Sequence, residues 1–456
     1  MPTALRRPSS TAVLLSLALL VAAGTVLDDH APSAKLTALA GILVALALPT
    51  TAGLLAALVA AHFTVLIEPQ AIGPLSTVDL MLGATLFRSL FTTTLPFPHR
   101  LPRIPLVGFV ALAVFLVVGG VATLLSGDST SLTSFGRITL YLAVAAIPVA
   151  GLDARSRHLV FAGVAGIALG DAVGALAQQS PTITTNFPIG RYLGALGDPA
   201  QFGVPIAVAI LMVVGCPTIL PNRFVRAAVV VVLLAGLAGS ATRSAAGALA
   251  VGSLVILADQ LRVRGISSRL RFGTGFLAGV GLVLALAVAS IGASAVGLDR
   301  GSASVRVESL ATGWDYLTAF PFGPTGLGAI PGEFPAYNTW LALAIGLSIP
   351  ASVAFAVFVG SAVVGLGRRD RLGLTAAITA VIACSFTENV VFAGSSLTIT
   401  WTVLLGLGLA AHRFPEPPGA ESESGARSDA ELDAAGTGPR PASARTTSAP
   451  SLLETQ

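Results

Sequence analysis

Apolar runs close to the length of a bilayer crossing recur from one end of this chain to the other, and that repetition limits its possible folds more than any other feature. About 20 apolar residues match the hydrocarbon thickness, with shorter runs tolerated inside a bundle. Such runs lie near 11–27, 35–49, 50–67, 76–92, 106–126, 137–151, 158–177, 201–216, 224–240, 242–259, 272–296, 338–366, 372–388 and 396–412. They predict an all-α polytopic membrane protein of roughly 12–14 transmembrane helices, filling residues 1–412. The second and third runs are separated only by "PTT", which fits a single kinked helix or a re-entrant pair. The first has the length of a signal peptide, but no small-residue cleavage site followed by a soluble domain comes after it, so it is expected to be retained. Only 11% of the 456 residues are charged, where a soluble domain carries about 25%.

Arginine placement predicts the orientation, because short cytoplasmic loops collect positive charge. With Arg6 and Arg7 inside, alternate loops carry "PHRLPR", "DARSRH", "PNRFVR", "RVRGISSRLR" and "GRRDR", all on the cytoplasmic side. Both termini are then cytoplasmic and the protein is a multi-pass protein of the cytoplasmic membrane. After Arg413 the composition turns to Pro, Ser, Glu, Ala and Gly, so 413–456 is expected to be a disordered tail. The net charge of +4 follows from these helix-end arginines and gives no reason to expect nucleic acid as a partner. Cys216 and Cys384 lack metal-type spacing and suggest neither a disulfide framework nor a metal site.

The opposite loops hold two long polar segments, about 178–200 and 297–337. In the second, Val307, Leu310, Ala311, Trp314 and Leu317 recur at helical spacing, with Glu308, Thr312 and Asp315 on the other side. The pattern fits an amphipathic helix on the outer membrane surface and equally a helix capping the bundle. Five arginines break the charge rule by lying on this side: Arg137, Arg191, Arg243, Arg300 and Arg306. Arg243 is the sharpest, set among Ser240, Thr242, Ser244 and Gly247 between two apolar runs. Such an arginine needs a cavity, a carboxylate or an anion. A guanidinium grips phosphate through paired hydrogen bonds, and a salt bridge to Asp171 or Glu388 is the alternative. Asp79 and Arg88 share one apolar run without facing each other and are read as helix-packing or helix-end residues.

Three stretches together resemble the O-antigen ligase and O-antigen polymerase family of integral membrane proteins. They are "RYLGALGDPAQFGVPIAVAIL", "GSATRSAAGALAV" and "SVRVESLATGWDYLTAFPFGPTGLGAIPGEFPAYNTWLALAIGLSIPASVAF". The first is similar to the family's polar loop running into a helix. In the second Arg243 matches the arginine of the family's "SRGA" helix start. The third follows its order of arginine, tryptophan helix, glycine turn, then "HNTYL" and a glycine-containing helix. The resemblance implies a GT-C-like glycosyltransferase moving glycan from an undecaprenyl-diphosphate carrier to an acceptor hydroxyl on a glycan, lipid or protein. It implies no metal and no cofactor. Arg243 and Arg306 would hold the diphosphate, with Arg191 and Asn338 as further substrate-binding positions.

In place of the family's histidine before Asn, this chain has Tyr337. A phenol with a pKa near 10 is a poor general base at neutral pH. Glu333 and Glu388 are the other candidate catalytic residues, and each is equally readable as a solvated loop residue. Three readings follow: polymerase or ligase of surface polysaccharide, a transporter or flippase of lipid-linked glycan, or an inactive relative.

Overall fold

The structure, a computed structural model, describes residues 9–27, 41–43, 45–63, 75–92, 103–177, 199–263, 300–320, 338–363, 372–388, 390 and 395–413. Among them the chain is all-α. In order the helices are α1 (Ser10–Leu27), α2 (Thr50–Ala60), α3 (Thr77–Thr92), α4 (Arg103–Ser126), α5 (Ser129–Val144), α6 (Ala154–Ala177) and α7 (Pro199–Gly215). They continue as α8 (Arg223–Ser240), α9 (Arg243–Val263), α10 (Arg300–Ala319), α11 (Thr339–Gly346), α12 (Ile349–Val363), α13 (Leu372–Ser385) and α14 (Ser396–Arg413). Four segments are long and apolar enough to cross a membrane: Leu106–Ser126, Ser129–Val149, Ala154–Ala177 and Arg223–Ser240. Shorter apolar helices accompany them, including α2, α12 and α13. The helices of the rim turn large apolar side chains outward, such as Val117, Val121, Leu124 and Leu125 of α4 and Val231 and Leu234 of α8. A surface of that kind suits lipid and not water.

Two helices form the centre. α7 is buried from Phe202 to Val213 and α14 from Ser396 to Ala411. α6, α8, α9, α13 and α14 all pack on α7. α1 lies closely along α6, where "GIALG" places Gly166 and Gly170 four residues apart; a Cβ at either would overlap the Leu14 or Ala18 carbonyl. Small residues at that spacing let two membrane helices touch backbone to backbone, which replaces the missing hydrophobic drive with van der Waals contact.

Side-chain caps set several boundaries. Asp128 accepts from the Thr130 and Ser131 amides to start α5, and the Ser131 hydroxyl and amide hold its carboxyl below the usual aspartate range. Asn222 does the same for α8 through the Phe224 and Val225 amides. The helix expected over 137–151 therefore begins eight residues earlier than its apolar run, because the cap lies in the polar "GDSTS" segment. It ends in a π-helical turn, Ala145–Val149, around Pro148, whose missing N–H widens the ladder.

The single helix expected over 338–366 is two. α11 stops at Gly346, and the Leu347 and Ser348 amides both turn back to the Leu343 carbonyl. Ser348 has φ 135, outside helical space, and its hydroxyl accepts from the Ala351 amide to start α12. Pro350 then fits the first turn of α12, where its missing N–H costs nothing.

The helix expected on the outer surface exists as α10, but its apolar positions are not all on one side. Ser309, Gly313 and Leu317 face inward, with Leu317 packed on Ala344 and Ile345 of α11, while Leu310 and Trp314 are exposed. Three arginine-bearing segments share one end of the bundle: Thr11 donates to the Ile219 carbonyl, Arg226 to that of Leu220, and His158 contacts the backbone of Thr218. Residues 414–456, the 272–296 run and the polar segment 178–198 lie outside the described residues.

Candidate functional site

Four helices begin close together: α7, α9, α11 and α14. Each brings the positive end of its dipole, and at α11 two of the first-turn amides are already capped by Asn338. Bonds between their first turns tie them into one mouth. Gly203, in the first turns of α7, lies against the turn that starts α9; a Cβ there would be 2.9 Å from Ser240 Oγ, 3.1 Å from Ala245 Cβ and 3.2 Å from Thr242 Cβ. On the other side of α7, the Ser395 hydroxyl contacts Gln201 Oε1 at 3.4 Å, just before α14. Thr398 of α14 donates to the Val390 carbonyl, the Val390 amide donates to Thr339 Oγ1, and the Thr339 hydroxyl donates to the Glu388 carbonyl. Pro205 sits inside α7 and has no N–H to return to the Gln201 carbonyl.

Arg243 opens α9 after a tight turn in which Ala241 is left-handed (φ 49). Ser240 donates to the Leu237 carbonyl and accepts from the Thr242 amide, which fixes the turn. Arg243 is exposed, and beside Gly247, one turn along the same helix, there is open space. Two hydroxyls at this mouth, Ser244 Oγ in α9 and Ser396 Oγ in α14, are buried with no hydrogen-bond partner among the described residues. A buried hydroxyl without a partner costs free energy unless a ligand or water meets it.

Asn338 has a building role. Its Oδ1 accepts from the Trp340 and Leu341 amides to cap α11, and its Nδ2 donates to the Phe386 carbonyl at 3.0 Å. Glu388 is half-buried in the turn after α13, its amide bonded to the Cys384 carbonyl. Thus Asn338 and Glu388 come together, and the start of α7 links them to the Arg243 turn. Phe386 is exposed at the same place, stacked 5.9 Å from Trp340. Arg191, Glu333 and Tyr337 lie outside the described residues; Arg306 lies on α10, with its side chain outside them.

Sequence reasoning passed over Gln201, Ser395, Ser396 and Thr398. The signal for the last three was present in "SSLTITWT", where hydroxyl residues recur along a run that is otherwise apolar. It also treated Asp79 and Arg137 separately. Arg137 Nε on α5 lies 2.8 Å from Asp79 Oδ2 on α3, so this arginine, which broke the charge rule, has a carboxylate partner. No grouping of three or more His, Cys, Asp or Glu side chains suited to a metal occurs among the described residues. No family model matches the chain, and no curated protein is significantly similar to it.

Proposed function

We propose that this protein is a glycosyltransferase of the lipid-linked-donor type, with a GT-C-like fold, acting as polymerase or ligase in surface polysaccharide assembly. The observation that carries the reading is the mouth itself. Four helix N-termini meet there beside an exposed arginine and two unpartnered hydroxyls. Helix N-termini favour anions, and a guanidinium beside them favours phosphate, so a diphosphate fits better than a neutral or cationic ligand. In the reaction, the acceptor hydroxyl attacks the anomeric carbon and the diphosphate leaves. Arg243 and the helix termini would stabilise the charge that grows on the leaving oxygen. Arg306 and Arg191 are the further cations of this reading, and Glu388, Glu333 and Tyr337 the candidate bases. Exposed Phe386 offers an apolar face for a sugar ring.

A second reading, a transporter or flippase of the same lipid-linked glycan, draws on a different observation. Transporters place charge and broken helices within the membrane. The buried Asp79–Arg137 pair, Pro205 within α7 and the break at Ser348 are features of that kind. The two readings separate in one experiment. Cells lacking the protein are complemented with wild-type or Arg243→Ala protein, and the undecaprenyl-linked glycans are extracted from each leaflet. Single repeat units accumulating on the outer leaflet indicate a polymerase, finished chains left on the lipid a ligase, and glycan held on the inner leaflet a flippase. Arg243→Ala is expected to reproduce the deletion while membrane levels stay normal. Wild-type glycan from that variant would remove the arginine from the site.

A further inference from the structure

Asp79 and Arg137 form a buried ion pair that the proposed glycan transfer does not use. The Asp79 side chain is 0% exposed and that of Arg137 7%. Donors reach both carboxylate oxygens. Oδ2 accepts from the Ser76 amide and hydroxyl, each at 2.8 Å, and Oδ1 accepts from the Tyr141 hydroxyl at 2.6 Å. Arg137 Nε stands 2.8 Å from Oδ2 with its N–H off the hydrogen-bond line, so the contact is charge pairing first. Ser76 precedes α3, while Arg137 and Tyr141 stand one turn apart on α5. Everything that satisfies the carboxylate thus comes from its own helix start or from α5.

α3 does not suit a bilayer alone, and α5, although long and apolar enough to cross one, carries an arginine through it. α3 has 16 residues, carries Asp79 and Arg88, and is not among the apolar helices of spanning character. Arg88 donates to the Leu46 carbonyl. Asp79 has no such local remedy beyond Ser76. α5 crosses only with Arg137 inside its span, and it is the least apolar of the four long spans. An ionised side chain alone at such a depth is strongly disfavoured. Asp79 is also made well before its partner, since 62 residues separate it from Tyr141.

We propose that the Asp79–Arg137 pair is an assembly lock: α3 becomes a stable membrane helix only when α5 arrives and docks its arginine and tyrosine on the waiting carboxylate. Donors on both oxygens make this a fixed joint and not a relay, because the carboxylate has no spare direction in which to swing. The lock also sets register. Sliding α5 by one turn would bring Thr133 or Tyr141 to the level of Arg137 and separate the charges. This inference is independent of the glycan reading and rests only on the membrane character of the helices.

The test uses the full chain expressed in its membrane, with Asp79→Leu, Arg137→Met and the double variant. Membrane-integrated protein is measured by immunoblot and α3 insertion by impermeant-maleimide labelling of a cysteine placed at position 96. Each single variant is expected to fall several-fold in integrated protein and to change labelling at that position. The double variant, with no charge left to bury, should recover most of both signals. Two results would overturn the lock: a single variant that integrates like the wild type, or a double variant no better than the worse single. Normal integration with lost transport or transfer in Arg137→Met would instead make the pair part of a working site.

Discussion

The two polar regions of this bundle are built in opposite ways. Around Asp79, both carboxylate oxygens are met by donors from the start of α3 and from α5, and the cluster is sealed from solvent, although Arg137 Nε and Thr77 Oγ1 are buried there without a hydrogen bond among the described residues. At the mouth where α7, α9, α11 and α14 begin, Arg243 is exposed and the Ser244 and Ser396 hydroxyls have no partner among the described residues. A carboxylate met on both oxygens and closed off from solvent serves to join helices. Buried hydroxyls beside an exposed arginine leave polar groups within reach of a ligand. The contrast between the two regions is therefore one of access.

Substitutions can break that contrast, and their expected effects on stability descend in order. Largest is removal of one partner from the sealed cluster: Arg137→Met or Asp79→Leu takes the opposite charge from a buried ionic group, which costs about 3–5 kcal/mol. Next is Asn338→Ala at the edge of the mouth. It removes a helix cap worth about 1 kcal/mol and the bond to Phe386 worth about 1 kcal/mol, so thermal unfolding in detergent should shift down clearly. Gly203→Ala follows. Alanine gains about 1 kcal/mol of helix propensity, but contact with Ser240, Thr242 and Ala245 costs about 1–3 kcal/mol. The net fall in melting temperature is small, while displacement of the Arg243 turn should lower glycan transfer more than the stability change explains. Smallest is Ser396→Ala. Deleting an unpartnered hydroxyl should leave the melting temperature unchanged or raise it, while weakening competition by inorganic pyrophosphate for the donor. A destabilised Ser396→Ala protein would show that the hydroxyl already has a structural partner and would close the mouth to this reading.

Much of the architecture was legible from the chain because lipid imposes a simple rule of length and polarity. The apolar runs found most helices, and the caps at Asp128, Asn222 and Asn338 explain where three of them start. The break between α11 and α12 was also written in the sequence, as Gly346, a capping Ser348 and Pro350, but uniform hydrophobicity hides a stop and restart. α10 shows a different difficulty. A helix between a bundle and lipid can be apolar on both sides, so spacing cannot say that Leu317 turns inward while Trp314 turns out. The pairing of Asp79 with Arg137 was not legible at all. Each residue announces a cost by itself, but partner choice depends on which helices become neighbours. At the mouth, Arg243 stood out by its cost in the membrane and Ser396 only by the hydroxyl-rich run around it, whereas Gln201, being uncharged and isolated, announced nothing.

Several helices of the bundle, two of them from the mouth, are short. α7, α12, α13 and α14 have 17, 15, 14 and 18 residues, against 24 for α4 and α6. At 1.5 Å per residue the first group spans about 21–27 Å, less than the roughly 30 Å of a bilayer's hydrocarbon layer. Hydrophobic mismatch of that size is met by local thinning of the membrane. Thinning beside the shorter α7 and α14, while α9 keeps 21 residues, would bring the headgroups down toward the mouth. A ligand carried on a lipid anchor would reach Arg243 by lateral diffusion, without being lifted out of the leaflet in which it travels.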